Sequence, residues 1–401
     1  MLILPADIRL VELVVAFIAL YLTIFYILLY LKYRTEIKAH PENKNYQPKI
    51  SIVIPAYNEA KEIPQCLDSV LNLNYPKEKL EIIVVDDGSK DNTLEIAREY
   101  EKRGVTVYTK KNEGTAAATK NYGIKRATGD IIATLDGDSH VHPETINNMI
   151  NYLQDENVMA VTASIKAHSS KGKNLLTSVQ RVEYIFTLFS RKILNSIDAV
   201  NVTPGPFSMF RREVFDKIGY FDVKNILEDQ EFAMRMQKHN MKIRSSMKAE
   251  VYTEVPFSFG ELLKQRTRWH RGGLHNSIKY LELISPKYGD LGIIVMPLTL
   301  VALVLLFGVF VMVGLYMLYP SPYLFRVGVN AMLLNVHWIT FVGLSIFVLN
   351  FVWIYKGIQF FREEKITLFE IVIYVIAYSY LVTIYWISAL IKEITGQKLS
   401  W

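Results

Sequence analysis

Residues 130–138 read DIIATLDGD, an apolar run rich in β-branched residues that stops at two closely spaced aspartates. The same pattern appears earlier in KISIVIPAY (49–57) and LEIIVVDDG (80–88), and shorter runs follow at VTVYT (105–109) and VMAVTAS (158–164). A helical pattern separates each of these runs from the next along the chain. Alternation of continuous apolar strands with helices predicts an α/β domain with a mostly parallel sheet that is covered on both faces.

Polar clusters stand where three of the predicted strands end, at the edge where sheets of this kind bind ligands. They are Tyr57-Asn58-Glu59, Asp86-Asp87-Gly88 and Asp136-Gly137-Asp138. The glycine patterns of dinucleotide-binding folds and of ATPase-type phosphate loops are absent. Because Mg²⁺ and Mn²⁺ bind one or two carboxylates together with phosphate oxygens, we interpret Asp136 and Asp138 as metal ligands. The alternative interpretation is a polar turn after a strand.

Four long runs contain no Asp, Glu, Lys or Arg: residues 13–31, 293–319, 331–355 and 371–391. Each is long enough to cross a hydrocarbon core of about 30 Å as a helix, so the sequence predicts four transmembrane helices. Buried core helices are the alternative, which the number and length of the runs disfavour. A cleaved signal peptide would be followed by a small-x-small cleavage site, but the first run is followed by basic residues. We therefore interpret this run as a signal anchor.

The charges beside these runs predict an orientation in the membrane. With residues 32–292 in the cytoplasm, the inner flanks carry ten Lys and Arg residues and the outer flanks carry four. Because basic residues concentrate on the cytoplasmic side, this arrangement is favoured. It makes the chain a multi-pass protein of the cell membrane with both termini outside.

The overall composition excludes several classes of protein. The chain has 401 residues, 51% of them hydrophobic, with 45 Lys and Arg against 39 Asp and Glu. This balance excludes a disordered or collagen-like chain, and one cysteine, Cys66, excludes an intramolecular disulfide. The basic surplus is typical of residues beside anionic lipid headgroups. Because no nucleic-acid-binding motif is present, we expect no nucleic-acid partner.

Six motifs occur in a fixed order over about 220 residues. They are SIVIPAYNE (51–59), VVDDGSKDNT (84–93), TLDGDS (134–139), GPFSMFRR (205–212), LEDQE (227–231) and QRTRW (265–269). The set resembles the processive branch of glycosyltransferase family 2, which includes cellulose, hyaluronan, chitin-oligosaccharide and poly-N-acetylglucosamine synthases. The resemblance implies a GT-A type nucleotide-sugar-binding domain, which is Rossmann-like, with four transmembrane helices and interfacial amphipathic helices. One leading and three trailing spans look most like the chitin-oligosaccharide synthases.

The resemblance implies a division of the chain into four parts. Residues 1–31 would be the transmembrane anchor and 32–172 the nucleotide-sugar-binding half of a cytoplasmic catalytic domain. Residues 173–292 would be the acceptor-binding half with interfacial helices, and 293–401 the three C-terminal spans.

The resemblance also assigns donor-binding roles. Tyr57, Glu59 and Asp87 would hold the uracil end of a UDP-sugar, and Asp136 and Asp138 would hold Mg²⁺ or Mn²⁺ and the diphosphate. Asp86 would contact the donor as well, although capping of the following turn explains an aspartate there equally well.

The remaining motifs are implied to serve the acceptor and the reaction. Gly205-Pro206 would shape the acceptor pocket, and Glu228 and Asp229 would be catalytic, with Asp229 as the general base. Gln265, Arg268 and Trp269 form a Q-x-x-R-W signature that would contact the donor, with Trp269 also facing the acceptor sugar. A carboxylate is needed because the acceptor hydroxyl is a poor nucleophile. A divalent ion and Arg268 would stabilise the leaving diphosphate.

Two stretches of the sequence are amphipathic, and two residues depart from the family pattern. Residues 174–195 and 257–274 are amphipathic, which fits an interfacial helix and a core-packed helix equally well. Arg266 and Arg271 flank the signature, where either could contact phosphate or lipid headgroups. Thr115 and Leu227 replace residues common in the family, which leaves the donor sugar in doubt.

The sequence therefore predicts a membrane-embedded inverting glycosyltransferase. It would transfer sugar from a UDP-sugar, with UDP-N-acetylglucosamine as the first choice, to a growing β-linked glycan, and export of the product is a further hypothesis. One alternative is transfer of a single sugar to a lipid phosphate or glycolipid. Another is a transporter or receptor with a degenerate transferase domain. The oligomeric state is left open.

Overall fold

The computed structural model describes residues 5–38, 41, 45–304, 307, 336–361 and 366–397. The strands are β1 (Ile50–Ala56), β2 (Leu80–Asp86), β3 (Val105–Thr109), β4 (Ile131–Thr134), β5 (Ser139–Val141), β6 (Val158–His168), β7 (Ser208–Arg211) and β8 (Lys242–Glu254). The helices up to the end of the sheet are α1 (Pro5–Lys38), α2 (Ile63–Leu71), α3 (Thr93–Glu99), α4 (Ala116–Ile124), α5 (Thr145–Ile150), α6 (Leu175–Asn195), α7 (Arg212–Ile218) and α8 (Glu228–Lys238). They are followed by α9 (Phe259–Lys279), α10 (Leu291–Val304), α11 (Val336–Phe361) and α12 (Leu368–Ile394).

The strands form one mixed sheet in the order β3-β2-β1-β4-β7-β6-β8-β5. The first four predicted strands, β1 to β4, pair in parallel as expected. In the second half β6 and β8 also pair in parallel, but the prediction of a mostly parallel sheet is wrong at β7, which pairs antiparallel with both β4 and β6, and at β5, which pairs antiparallel with β8. The reason is that β7, only four residues long, enters between β4 and β6 and reverses the chain direction there.

Helices cover both faces of the sheet, as predicted, because successive strand residues point to opposite sides. Ile52 and Ile54 of β1 pack in a core with Leu67 of α2, whereas Val53 packs on the other face with Phe210 and Phe232. All three β1 side chains are fully buried, which is typical of a strand covered on both faces.

The amphipathic stretches form α6 and α9, each of which begins with a capping box. The side chain of Asn174 accepts from the backbone of Thr177, and that of Ser258 accepts from the backbone of Glu261. Both caps satisfy backbone donors that have no partner within the helix. Helix α6 packs against β6 and β8 as well as α1, α11 and α12, and α9 packs against α8 and α12. The two helices therefore connect the sheet to the apolar helices.

Two helices in the described residues are long and apolar enough to cross a membrane. They are the Leu344–Phe361 part of α11 and α12, Leu368–Ile394. The predicted span 371–391 lies inside α12, and the described part of 331–355 lies inside α11. The predicted span 13–31 lies within α1, a helix of 34 residues. Most of 293–319 lies outside the described residues, so four transmembrane helices are not confirmed.

Candidate active site

The turn after β1 holds the first predicted donor-binding residues. Asn58 has a left-handed backbone conformation, φ 57°, and its side-chain oxygen accepts from the Lys90 amide at 2.8 Å. The Glu59 amide donates to Thr93 Oγ1 at 2.8 Å. These bonds join the turn after β1 to the loop after β2. The ring of Tyr57 stays 41% exposed, which leaves a face available for stacking.

The two aspartates after β2 have different surroundings. Asp86 is buried, and its Oδ2 accepts from the Gly88 amide and from Thr109 Oγ1, each at 3.1 Å. Its carboxylate thus stabilises the turn, in line with the capping interpretation. Asp87 forms a buried ion pair in which Lys110 Nζ lies 2.6 Å from Oδ1. Asp87 also lies beside the β1 turn, because its amide donates to the Ala56 carbonyl at 2.9 Å.

Negative charge is concentrated between the ends of β1 and β4. Burial, and then the charges of Asp138, Glu62 and Asp136, raise the pKa of Glu59 to about 8. Burial and the Asp136 charge raise the pKa of Asp138 to about 7. A divalent cation would relieve this repulsion, so the residues fit one. In the part of the chain that the structure describes, no three His, Cys, Asp or Glu side chains form a complete metal site.

Lys120 is a site residue that sequence reasoning missed. It is 2% exposed, and its Nζ lies 3.2 Å from Asp136 Oδ1 and 3.1 Å from Glu228 Oε1. Burial disfavours the ammonium charge, but the carboxylates of Asp136 and Glu228 outweigh burial and raise the pKa of Lys120. The feature of the sequence that could have indicated Lys120 is its charge, because it is the sole charged residue in the stretch 114–124.

Two glycines allow these groups to approach each other. A Cβ atom at Gly123 would lie 2.4 Å from Val53 Cγ1, so α4, which carries Lys120, packs directly on β1. A Cβ atom at Gly205 would lie 2.7 Å from Asp136 Oδ2. The Gly205-Pro206 loop therefore lies against the predicted metal ligand.

Glu228 and Asp229 occupy the first turn of α8, where the helix dipole favours carboxylates. Glu228 is 3% exposed and paired with Lys120. Asp229 Oδ1 accepts from the Gln230 amide at 2.7 Å. Burial raises the pKa of Asp229 despite the opposing charges of Lys120 and Arg268. A raised pKa makes a carboxylate a better proton acceptor, which suits a general base.

The Q-x-x-R-W signature lies on α9, and its Arg268 reaches this cluster. Arg268 Nη1 donates to the Ile226 carbonyl at 3.2 Å, just before α8. Arg266 donates to the side-chain oxygen of Gln265, and its guanidinium carbon lies 4.0 Å from the centre of the Trp269 ring. The structure thus brings Arg268 to Asp229 and makes Arg266 the support of Gln265 and Trp269.

Arg266 and Arg271 do not face phosphate or lipid, contrary to expectation. Arg266 is 1% exposed and pairs with Glu183 at 2.8 Å, and Arg271 pairs with Glu393 at 2.6 Å. A buried guanidinium without a carboxylate is costly, and the helices on either side of α9 supply one to each.

Part of the chain is similar to known proteins. Residues 51–219 match the family described as Glycosyl transferase family 2. The chain is 30% identical over 260 residues to a probable glycosyltransferase, YdaM, of Bacillus subtilis (strain 168), covering 63% of this chain and 61% of that protein. It is 32% identical over 228 residues to the poly-beta-1,6-N-acetyl-D-glucosamine synthase of Staphylococcus epidermidis, covering 56% and 54%.

A solved structure shares the fold over nearly the whole chain. It is the mannosyltransferase PcManGT from Pyrobaculum calidifontis, in complex with GDP-Man and Mn²⁺, with a TM-score of 0.58 and 18% identity over 95% of this chain and 99% of that one. The chain thus has the GT-A glycosyltransferase fold. The chain carries a glycosyl transferase family 2 domain, and its matches span little more than half the length of the curated relatives.

Proposed function

We propose that this protein is a membrane-embedded inverting glycosyltransferase that extends a β-linked glycan from a UDP-sugar, with UDP-N-acetylglucosamine as the first choice. The observation that carries the proposal is the contact of Lys120 with both Asp136 and Glu228, which joins the predicted metal motif to the carboxylate that precedes the predicted base Asp229. The likeness to a poly-beta-1,6-N-acetyl-D-glucosamine synthase supports the choice of donor.

The donor would lie across the ends of β1, β2 and β4. Tyr57 offers an exposed ring to the base, and Asp87, fixed by Lys110, lies beside it. Asp136 and Asp138 would hold Mg²⁺ or Mn²⁺, which neutralises charge on the leaving diphosphate when bound. A neighbour in fold contains Mn²⁺. Lys120 keeps Asp136 in place through its ion pair, and Glu228 fixes Lys120 from the other side.

The reaction is a single displacement at C1 of the donor sugar. Asp229 accepts the proton of the acceptor hydroxyl, the hydroxyl oxygen bonds to C1, and the bond from C1 to the phosphate oxygen breaks as UDP leaves. Attack opposite the leaving group inverts the anomeric centre. Arg268, beside Asp229, adds positive charge where the leaving group gains negative charge. Trp269 offers its face to the acceptor sugar.

Membrane embedding rests on the apolar helices and on how α6 and α9 join them to the sheet. Helix α11 would cross the bilayer together with the predicted spans at 13–31 and 293–319. Both ends of α12 pair with residues of the catalytic domain, Glu370 with Lys173 and Glu393 with Arg271, so α12 would lie along this domain at the membrane surface. The catalytic domain would face the cytoplasm, as the flanking charges indicate.

The first experiment measures UDP release by the detergent-purified protein, with Mg²⁺ or Mn²⁺, across a panel of UDP-sugars, followed by mass spectrometry of the products. A ladder spaced by one sugar mass supports the polymerase and names its donor. A single-sugar lipid adduct would favour the lipid-acceptor alternative. UDP binding without release from any donor would contradict the proposed enzyme.

A variant of the base gives the matching control. Asp229→Asn removes the proton acceptor but keeps size and hydrogen bonding, so turnover should fall at least about 100-fold while UDP still binds. Asp216→Asn, an exposed carboxylate on α7, should leave both properties unchanged.

A further inference from the structure

Helix α6 passes along the site and contributes side chains that no motif indicates. Tyr184 and Arg191 are seven residues apart, two helical turns, and therefore lie on the same face of α6. Burial raises the pKa of Tyr184 to about 12, and Arg266, Glu183 and Asp138 all lie near enough to act on it. Tyr184 thus lies between the signature helix and the predicted metal motif.

Arg191 lies on the same face of α6 as Tyr184, near the predicted base Asp229. Burial lowers the pKa of the Arg191 guanidinium to about 10, and the nearby carboxylate of Asp229 opposes this effect. The face of α6 that carries Tyr184 and Arg191 therefore runs from the metal motif to the base, along the line that a donor diphosphate and an acceptor would occupy.

One nitrogen of the partly buried Arg191 guanidinium lacks the kind of partner that the buried cations nearby have. Its Nη1 is inaccessible to solvent and has no hydrogen-bond partner among the described residues. By contrast, Lys120 pairs with Glu228, Arg266 with Glu183 and Arg271 with Glu393. A buried donor without a partner costs free energy, and a guanidinium stays charged at neutral pH. A guanidinium with an unpaired, inaccessible nitrogen beside a reaction centre can therefore bind an anion that arrives with the substrate.

We propose that Arg191 binds a phosphoryl group in the active site, from the diphosphate of the nucleotide or from a phosphate carried by the acceptor. The inference rests on the proposed function. A guanidinium matches phosphoryl oxygens with two parallel hydrogen bonds. Lys120 is already held by two carboxylates, so it offers little to a second anion, whereas Nη1 of Arg191 has no hydrogen-bond partner among the described residues.

The test compares Arg191→Gln and Arg191→Lys with wild type, and with Arg98→Gln as an equal charge change at an exposed site on α3. Binding of UDP, UMP and uridine in the presence of Mn²⁺ is measured by calorimetry, and donor and acceptor KM and kcat are measured in turnover. Thermal unfolding checks that each variant folds.

If the phosphoryl group belongs to the donor, Arg191→Gln should weaken UDP binding about 10- to 100-fold and uridine binding by less than about twofold. Arg191→Lys should recover part of the loss, because it restores charge without the planar fork. If the group belongs to the acceptor, UDP binding stays unchanged and the acceptor KM rises by a similar factor. Either result supports the proposal.

The proposal is overturned if folded Arg191→Gln keeps both the UDP-to-uridine affinity ratio and the acceptor KM. A displaced pH optimum alone would mean that Arg191 only tunes Asp229. Wild-type protein that binds UDP without turning over any donor contradicts the proposed function, while the binding ratio still tests Arg191. Wild-type protein that binds no UDP overturns both.

Discussion

Arg266 and Glu183 form a two-point ion pair between residues 83 positions apart, with Nε to Oε1 at 3.1 Å and Nη2 to Oε2 at 2.8 Å. The Tyr378 hydroxyl donates to the same carboxylate at 3.2 Å. Because the Arg266 guanidinium lies against the Trp269 ring, a chain of contacts joins α12 to the predicted acceptor platform. The C-terminal apolar helix α12 therefore supports the position of the Trp269 ring through Glu183 and Arg266.

Removing the Glu183 charge should destabilise this region. Glu183→Gln leaves Arg266 buried without a counter-charge, so we expect a loss of about 3–5 kcal/mol in the free energy of unfolding. Thermal unfolding in detergent measures it, and the acceptor KM should rise because Trp269 loses its support. Glu213→Gln, from an exposed pair with Lys217, should change stability by less than about 1 kcal/mol. An equal effect of the two variants would contradict the role of the Glu183 pair.

A methyl group at Gly205 should disturb the metal motif. In Gly205→Ala the new Cβ meets Asp136 Oδ2 at 2.7 Å, and this carboxylate or the loop must shift. Since a misplacement of about 1 Å can cost about 100-fold in rate, we expect activity to fall at least tenfold with the protein still folded. Gly260→Ala has open space around its Cβ and should keep full activity. Full activity of Gly205→Ala would mean that Asp136 does not need its observed position.

Metal removal should separate donor binding from folding. Asp136, Asp138 and Glu59 repel one another, so the donor diphosphate should bind weakly without a cation. We expect EDTA to abolish UDP release and lower UDP affinity, Mn²⁺ to restore both, and the unfolding temperature to fall little. Asp138→Asn should respond to Mn²⁺ much less than wild type does. Unchanged UDP release in EDTA would exclude this use of the motif.

Stability should depend on pH through Lys192, which is 2% exposed and donates to the Ser245 carbonyl at 3.2 Å. Burial lowers its pKa to about 8, below its value in the unfolded chain. The unfolded chain therefore binds more protons between about pH 8 and 10.4, so this residue's destabilising effect is complete below pH 8 and fades as pH rises.

Lys192→Met should therefore raise the free energy of unfolding at pH 7 by up to about 3 kcal/mol, and with it the unfolding temperature. This gain should shrink toward pH 10. Thermal unfolding across this pH range measures it, with the exposed Lys217→Met as the control. A gain that is the same at pH 7 and pH 10 would show that packing, not ionisation, is responsible.

Several features follow from local sequence alone. Apolar runs with turn residues predict β1, β2 and β4 because a strand covered on both faces needs continuous hydrophobicity. The ordered motifs indicate family 2, which the family match over 51–219 confirms. The roles of the site residues remain predictions, although the structure brings Asp136, Gly205 and Asp229 into one region.

Other features depend on residues far apart in the chain. The entry of β7 between β4 and β6, which makes the sheet mixed, is decided by pairing across the sheet and not by its four residues. Lys120 and Glu228 are 108 positions apart, and no local pattern relates them. The partner of a buried cation is the group that the fold places beside it when both lose water. Only the tertiary structure therefore pairs Lys120 and Arg266 with carboxylates and leaves Nη1 of Arg191 without a partner among the described residues.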